Sequence, residues 1–331
     1  MSRFFTVLIS LCLLVSLMGC ARPNPRESLE NMQAPAGSPM LLAVYQPWFG
    51  DNGHINVGYS CHDPKVLLQQ ISHARELNIG GFVVNWYGPH KQFEDRSFAL
   101  LEQAAAENNF KVAAQYDEAV DHPGDSTDVV IGDLRYLHDR YISQNAGPAR
   151  QAYLRYRGKP VIFIFPKPSS TDWKRVREAT QSWSDPPLLL YKDPAPKYIN
   201  DFDGFYAWVQ PGKEGWARDG SHYGEDYLNY FYKTMINHHP DKLAIGAVWP
   251  GFDDSKASWS RNRHMGYRCG KTFDDTLRIF RQYYGSQNAP PYLLIVTWND
   301  YEEGTDIERS ITHCGPGGAG RIDTALLQSS P

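Results

Sequence analysis

Residues 63–87 read DPKVLLQQISHARELNIGGFVVNWY, and the order of signals within them decides the fold. Asp63 is a helix N-cap residue, and Pro64 stands at the first helical position, where its missing N–H does no harm. Leu67, Leu68, Ile71, Ala74 and Leu77 then recur at helical spacing until Asn78-Ile79-Gly80-Gly81 ends the segment. An apolar, β-branched run follows at 81–86, as expected of a parallel strand buried on both faces. The same rhythm runs along the chain from Met40. Strands are expected at 41–45, 81–86, 111–116, 161–165, 188–191, 204–208, 243–249 and 292–298. Thr127 or Asp128 caps a helix through Leu134, Leu137 and Tyr141, and 223–237 and 272–284 carry similar helical patterns. The fifth unit, with Pro186, Pro187, Pro194 and Pro196, leaves room for little helix, and a last helix is expected at 322–327. Eight such units predict an α/β protein, a single (β/α)₈ TIM-type barrel over 40–331. A doubly wound open sheet is the rival, because the same alternation generates it.

The 331 residues are 42% hydrophobic, enough for a sizeable core, and the net charge of -4 gives no basic footprint for nucleic acid. Residues 1–20 form a processing segment: Arg3, an apolar run over 4–17, then Leu17-Met18-Gly19-Cys20. The run is short for a membrane span, and its end resembles the lipobox of bacterial lipoproteins. That resemblance implies acylation of Cys20 and a lipid anchor in the cell envelope. Ala21 and Arg22 follow with no aspartate, which points to the outer membrane of a cell that has one. An ordinary signal peptide or an uncleaved anchor is the alternative. Cys20→Ala is expected to release the protein into the soluble fraction; unchanged membrane association would place the anchor elsewhere. Residues 21–39, with Pro23, Pro25, Pro35, Gly37 and Pro39, read as a flexible tether. Beyond Cys20, Cys61, Cys269 and Cys314 allow one internal disulfide, Cys269–Cys314 being one pairing, with free buried thiols the alternative.

Barrel enzymes carry their sites at the C-terminal strand ends. Here those ends gather aromatic and acidic groups: Tyr45; Trp86 and Tyr87; Asp117 and Glu118; Tyr206 and Trp208; Trp249 and Asp253; Trp298, Asn299, Asp300, Tyr301, Glu302 and Glu303. Sugar C–H faces pack on aromatic rings and sugar hydroxyls need carboxylate and amide partners, so such a mouth suits a glycan. Any one tryptophan could equally be core. Alternation lets only one of Asp117 and Glu118 face the mouth. Arg263, near Asp253, either clamps a hydroxyl or forms a salt bridge with Asp253 or Asp254. If a helical turn begins at Asn299, Asp300 and Glu303 come to one side and form the carboxyl pair that glycoside hydrolysis uses. A solvated acidic turn is the bland alternative. No paired His and carboxylate spacing for a metal and no Gly-rich phosphate loop is present, so neither metal nor nucleotide cofactor is expected.

The segment Thr297-Trp298-Asn299-Asp300-Tyr301-Glu302-Glu303-Gly304-Thr305-Asp306-Ile307-Glu308 resembles the Asn-Glu-Trp-x-Glu-Gly-Thr-x-Ile-Glu motif of glycoside hydrolase family 99. Its Trp-Asn-Asp-Tyr portion is also similar to the α-1,3-glucanases of family 71. Supporting matches are Asp63-Pro64, residues 81–89, 158–163 and 250–254, in the expected order along the chain. The resemblance implies a barrel, an α-mannan or α-glucan substrate, and catalytic carboxylates at Asp300 and Glu303. In the family the first of the pair deprotonates the sugar 2-hydroxyl and the second serves as acid, then base. Asp300 is one methylene shorter than the family's glutamate, so it either loses that contact or acts as base for water. The stereochemical course is left open by this change. A non-catalytic glycan-binding barrel is the second functional reading.

Overall fold

The computed structural model describes residues 38–118, 126–167, 170–210, 222–285 and 289–308. Cys20, the signal segment, nearly all of the tether, Cys314 and the helix expected at 322–327 lie outside them. Eight strands form the barrel: β1 (Met40–Tyr45), β2 (Ile79–Trp86), β3 (Lys111–Asp117), β4 (Lys159–Phe165), β5 (Leu188–Lys192), β6 (Gly204–Tyr206), β7 (Leu243–Val248) and β8 (Tyr292–Ile295). Each pairs in parallel with the next, and Met40 opposite Tyr292 joins β8 back to β1. An open sheet would leave two edges; this one is closed. At Gly81 a Cβ would lie 2.8 Å from the Lys111 carbonyl oxygen, so the β2–β3 approach requires glycine.

Among the described residues, six helices pack outside the strands: α1 (Pro64–Glu76), α2 (Gln92–Glu107), α3 (Thr127–Leu137), α4 (Trp173–Gln181), α5 (Glu225–His238) and α6 (Lys271–Tyr283). In α1 the Asp63 carboxylate accepts the Lys65 N–H at 2.9 Å, and Leu67, Ile71 and Ala74 face the barrel. Leu68, which shares the helical spacing, is 43% exposed. The α3 cap differs from expectation. Ser126 holds the N-cap position, and the Thr127 hydroxyl instead accepts the Asp172 N–H at 2.9 Å. Between β5 and β6 there is only a 3₁₀ turn, Pro196–Tyr198, as the prolines require. Cys61 is a free, buried thiol, and Cys269 is disulfide-bonded.

β8 ends earlier than its apolar run. Val296 donates to the Val248 carbonyl at 2.9 Å, the last bond toward β7; then Trp298 donates to the Val44 carbonyl at 2.6 Å. The chain thus crosses toward β1, and this crossing sets the position of Asp300.

A cavity of about 490 Å³ lies on the helix layer between α2 and the turn at Pro148–Ala152, bordered by Glu102, Arg140 and Tyr141. It is away from the strand C-termini and does not touch the carboxylates of the mouth. Burial pushes the Glu102 carboxyl up to about 8, with Arg140 pulling the other way. A carboxyl whose folded value is raised stabilises the fold below its unfolded value and loses that contribution as pH climbs to the folded one. Glu102→Gln is therefore expected to melt with the wild type near pH 4 and above it past pH 8, by roughly 2–4 kcal/mol. Equal melting temperatures at both pH values would refute the shift.

Candidate active site

The turn after β8 is built on Asp300. Its N–H donates to Thr297 Oγ1 at 2.8 Å, and its Oδ1 accepts the N–H groups of Glu302 and Glu303 at 3.2 and 2.9 Å. A short side chain capping two amides closes the chain into a turn, with Gly304 at φ +60° completing it. Asp300 and Glu303 are thereby three residues apart on a turn rather than on an extended strand. The Asp300 Oδ2 accepts Gln46 Nε2 at 3.0 Å, and Gln46 Oε1 accepts Asn85 Nδ2 at 2.6 Å. Amides from β2 and the end of β1 thus hold the buried carboxylate in one orientation.

Glu303 is half-buried. Its Oε1 accepts the Trp259 indole N–H at 2.9 Å and lies 3.8 Å from the Arg263 guanidinium. The third carboxylate, Glu302, turns away: it accepts the Ile55 N–H at 3.1 Å and meets His54 Nδ1 at 2.8 Å, fastening the loop after β1. That loop brings Trp48, whose ring stacks on His54 at 4.5 Å and meets Trp259 edge-on at 6.1 Å and Tyr87 at 6.3 Å. Trp259 is 41% exposed, so the aromatic wall faces solvent at its rim. Opposite it, Asp117 pairs with Lys167 at 3.0 Å.

Electrostatics follow from the geometry. Burial pushes the Asp300 carboxyl well above the usual range, and the neighbouring Glu303 charge adds to this against the capping amides. Burial also raises Glu303, with Trp259 and Arg263 pulling it back. Asp117 is pushed up to about 6 by burial, against Lys167. Two carboxyls that oppose each other's ionisation hold one proton in preference to none. That is the condition of an acid beside a base.

The expected site residues divide by strand parity. Tyr87 and Asp117 face the mouth: the Tyr87 hydroxyl feels the charges of Asp117 and Asp300. Tyr206 sits deeper, fully buried, its hydroxyl donating to the Ile164 carbonyl at 3.0 Å, and Trp208 lies edge-on to Phe165 at 5.2 Å. Four aromatic rings expected in the mouth are packed behind it instead. Tyr45 donates to Gln70 on α1, and Trp86 donates to Asp95 on α2 at 2.9 Å. Trp249 donates to the Tyr223 carbonyl, and Trp298 packs on Phe82 and His73. Tyr301 donates to Glu308 and meets Phe49 edge-on, and Asn299 brackets the Gln46 backbone, accepting its N–H and donating to its carbonyl. Glu118 takes the structural role, accepting from Ser126, Thr171 and the Lys167 N–H. Asp253 accepts the Ser255 N–H and its own N–H donates to the Glu303 carbonyl, tying the two loops. Arg263 forms its salt bridge with Asp254 at 2.7 Å while also reaching toward Glu303. Gln46, Trp48 and Asn85 stand at strand ends without having been singled out as site residues, and His54, Trp259, Lys167 and Lys192 were not anticipated. Parity was the available signal for Gln46 and Asn85, each one position from an outward-facing aromatic.

The closed barrel and the carboxyl pair define the class: a (β/α)₈ protein with an acidic, aromatic-walled mouth where such barrels do their chemistry. Residues 49–316 match the sequence model of glycosyl hydrolase family 99, and the chain belongs to that family. The glycoprotein endo-alpha-1,2-mannosidase of Rattus norvegicus is 22% identical over 276 residues, covering 76% of this chain and 55% of the relative. A glycoprotein endo-alpha-1,2-mannosidase-like protein of Mus musculus is 24% identical over 285 residues, covering 78% and 58%. The chain therefore spans a little over half the length of these curated relatives. The solved structure of a family 99 endo-alpha-mannosidase from Bacteroides thetaiotaomicron superposes with a TM-score of 0.66 at 18% identity, covering 87% of this chain and 96% of that one. At that identity the likeness speaks for the fold.

Proposed function

We propose that this protein hydrolyses an α-linked glycan, with Glu303 as general acid and Asp300 as general base. The observation that carries the proposal is the pair itself, two carboxyls on one turn with both raised by burial. Glu303, protonated, delivers its proton to the glycosidic oxygen as the bond to the anomeric carbon breaks. Asp300, held ionised by the three N–H donors its oxygens accept although burial and the Glu303 charge oppose it, takes the proton of the attacking hydroxyl, whether the sugar's own or that of water. In a two-step course Glu303 then returns as base for the incoming water. Trp48, Tyr87 and Trp259 supply flat faces for the sugar rings. The names of the relatives support an α-mannoside cut internally as the first substrate to try, and the likeness of residues 298–301 to family 71 supports an α-glucan as the second.

The test is to incubate purified protein with panels of α-mannans and α-glucans and count new reducing ends. Release from an α-mannan is expected. Binding without release from any member would replace hydrolysis with the glycan-binding reading, and silence in both assays would reject both.

A further inference from the structure

The wall opposite Trp259 carries two ammonium groups that a neutral polysaccharide does not call for. Lys167 follows β4 and Lys192 ends β5, and their Nζ atoms lie 5.2 and 4.1 Å from the centroid of one ring, Phe165. Lys167 is neutralised by Asp117 at 3.0 Å. Lys192 is half-buried and, among the described residues, has no carboxylate within ion-pair distance. Burial, and Lys167 beside it, pull its pKa down, while Asp193, Asp117 and Glu303 act in the other direction. The Phe165 face beneath Lys192 offsets part of the cost of desolvating this cation, and the absence of a close counter-ion leaves the rest. A neutral sugar hydroxyl oxygen accepts from an ammonium as it would from an amide N–H, and the amide is the cheaper donor to desolvate. An anion brought by the ligand would complete the site.

We propose that the glycan taken by this site carries an anionic substituent on a sugar ring (a carboxylate, a sulfate ester or a phosphate ester) and that Lys192, seconded by Lys167, receives it. This rests on the hydrolase reading for the reaction, but not for the binding. The substituent belongs to a sugar lying toward β4 and β5, where the charges of Asp117 and Glu303 are felt at Lys192. Lys192 is thus a specificity-determining residue.

The experiment titrates the Glu303→Gln protein calorimetrically with α-mannotetraose in four forms: unmodified, 6-O-sulfated, 6-O-phosphorylated and uronic-acid-terminated. At least one acidic form is expected to bind about tenfold more tightly than the neutral one, as charge-assisted hydrogen bonds allow. The advantage should shrink with added salt. It should vanish when Lys192→Met is added and persist with Lys192→Arg. The arm that gains identifies the anion. Neutral binding equal to or tighter than every acidic form overturns the proposal, and that comparison stands even if Lys192→Met fails to fold. Wild-type protein incubated with the same four sugars reports on hydrolysis separately. Cleavage without acid preference removes this proposal and keeps the hydrolase; acid-selective binding without cleavage does the reverse. Binding of none removes both.

Discussion

Glu303→Gln is expected to leave a folded protein that binds glycan and does not cut it. The amide keeps an acceptor for the Trp259 N–H at the same place and fills the same volume. It cannot surrender a proton to a leaving oxygen. General acid catalysis by one positioned group is worth about 10²–10⁴ in rate, so a fall of about 10³ in kcat is expected. Affinity should change by less than about tenfold, because the aromatic wall and Asp300 are untouched. Reducing-end release and calorimetric titration on one preparation measure both quantities. A variant within tenfold of wild-type kcat would assign the acid to another residue.

Asp300→Asn is expected to abolish activity while raising thermal stability at pH 8, a combination that few buried polar substitutions show. One oxygen of the new amide can still cap the turn, accepting from Glu302 and Glu303. The other position becomes a donor facing Gln46 Nε2, a conflict of about 1 kcal/mol unless Gln46 turns over and gives up Asn85. Against this stands the removal of a buried charge beside Glu303. The Asp300 carboxyl is raised in the folded state, so its contribution to stability is complete below the unfolded value and falls as pH rises toward the folded one. The variant escapes that fall. Its melting temperature should sit near or below the wild type at pH 4 and above it at pH 8. Melts at the two pH values check the sign. A variant less stable at both would mean that the hydrogen bonds to Asp300 outweigh the desolvation of its charge. Such a site, destabilising for the fold and needed for the reaction, is where natural proteins surrender stability.

Much of the barrel was legible because its signals are local. Asp63-Pro64 opens α1, Asn78 at φ +58° follows its last turn, and the apolar run of β2, which takes in the two glycines expected to end the helix, is buried on both faces. The end of β8 was not legible, because Val296 to Trp298 remain apolar while their hydrogen bonds pass from β7 to β1 and to Thr305. The turn that carries Asp300 and Glu303 was legible, and the walls around it less so. Residue type alone favours Tyr45, Trp86 and Trp298, yet all three stand on the parity that faces the helices; Gln46 and Asn85, chemically plainer, stand on the other. Trp48, His54 and Trp259 come from loops, whose paths no periodicity records. Lys167 and Lys192 become a pair only when β4 and β5 lie side by side with Phe165 between their side chains.

The most direct measurement is a crystal structure of Glu303→Gln soaked with an α-manno-oligosaccharide. A glycosidic oxygen within hydrogen-bond reach of the residue-303 amide, with Asp300 facing the same ring and Trp48, Tyr87 or Trp259 beneath it, is the predicted result. Sugar bound elsewhere, with the mouth after β8 filled only by water, would contradict it.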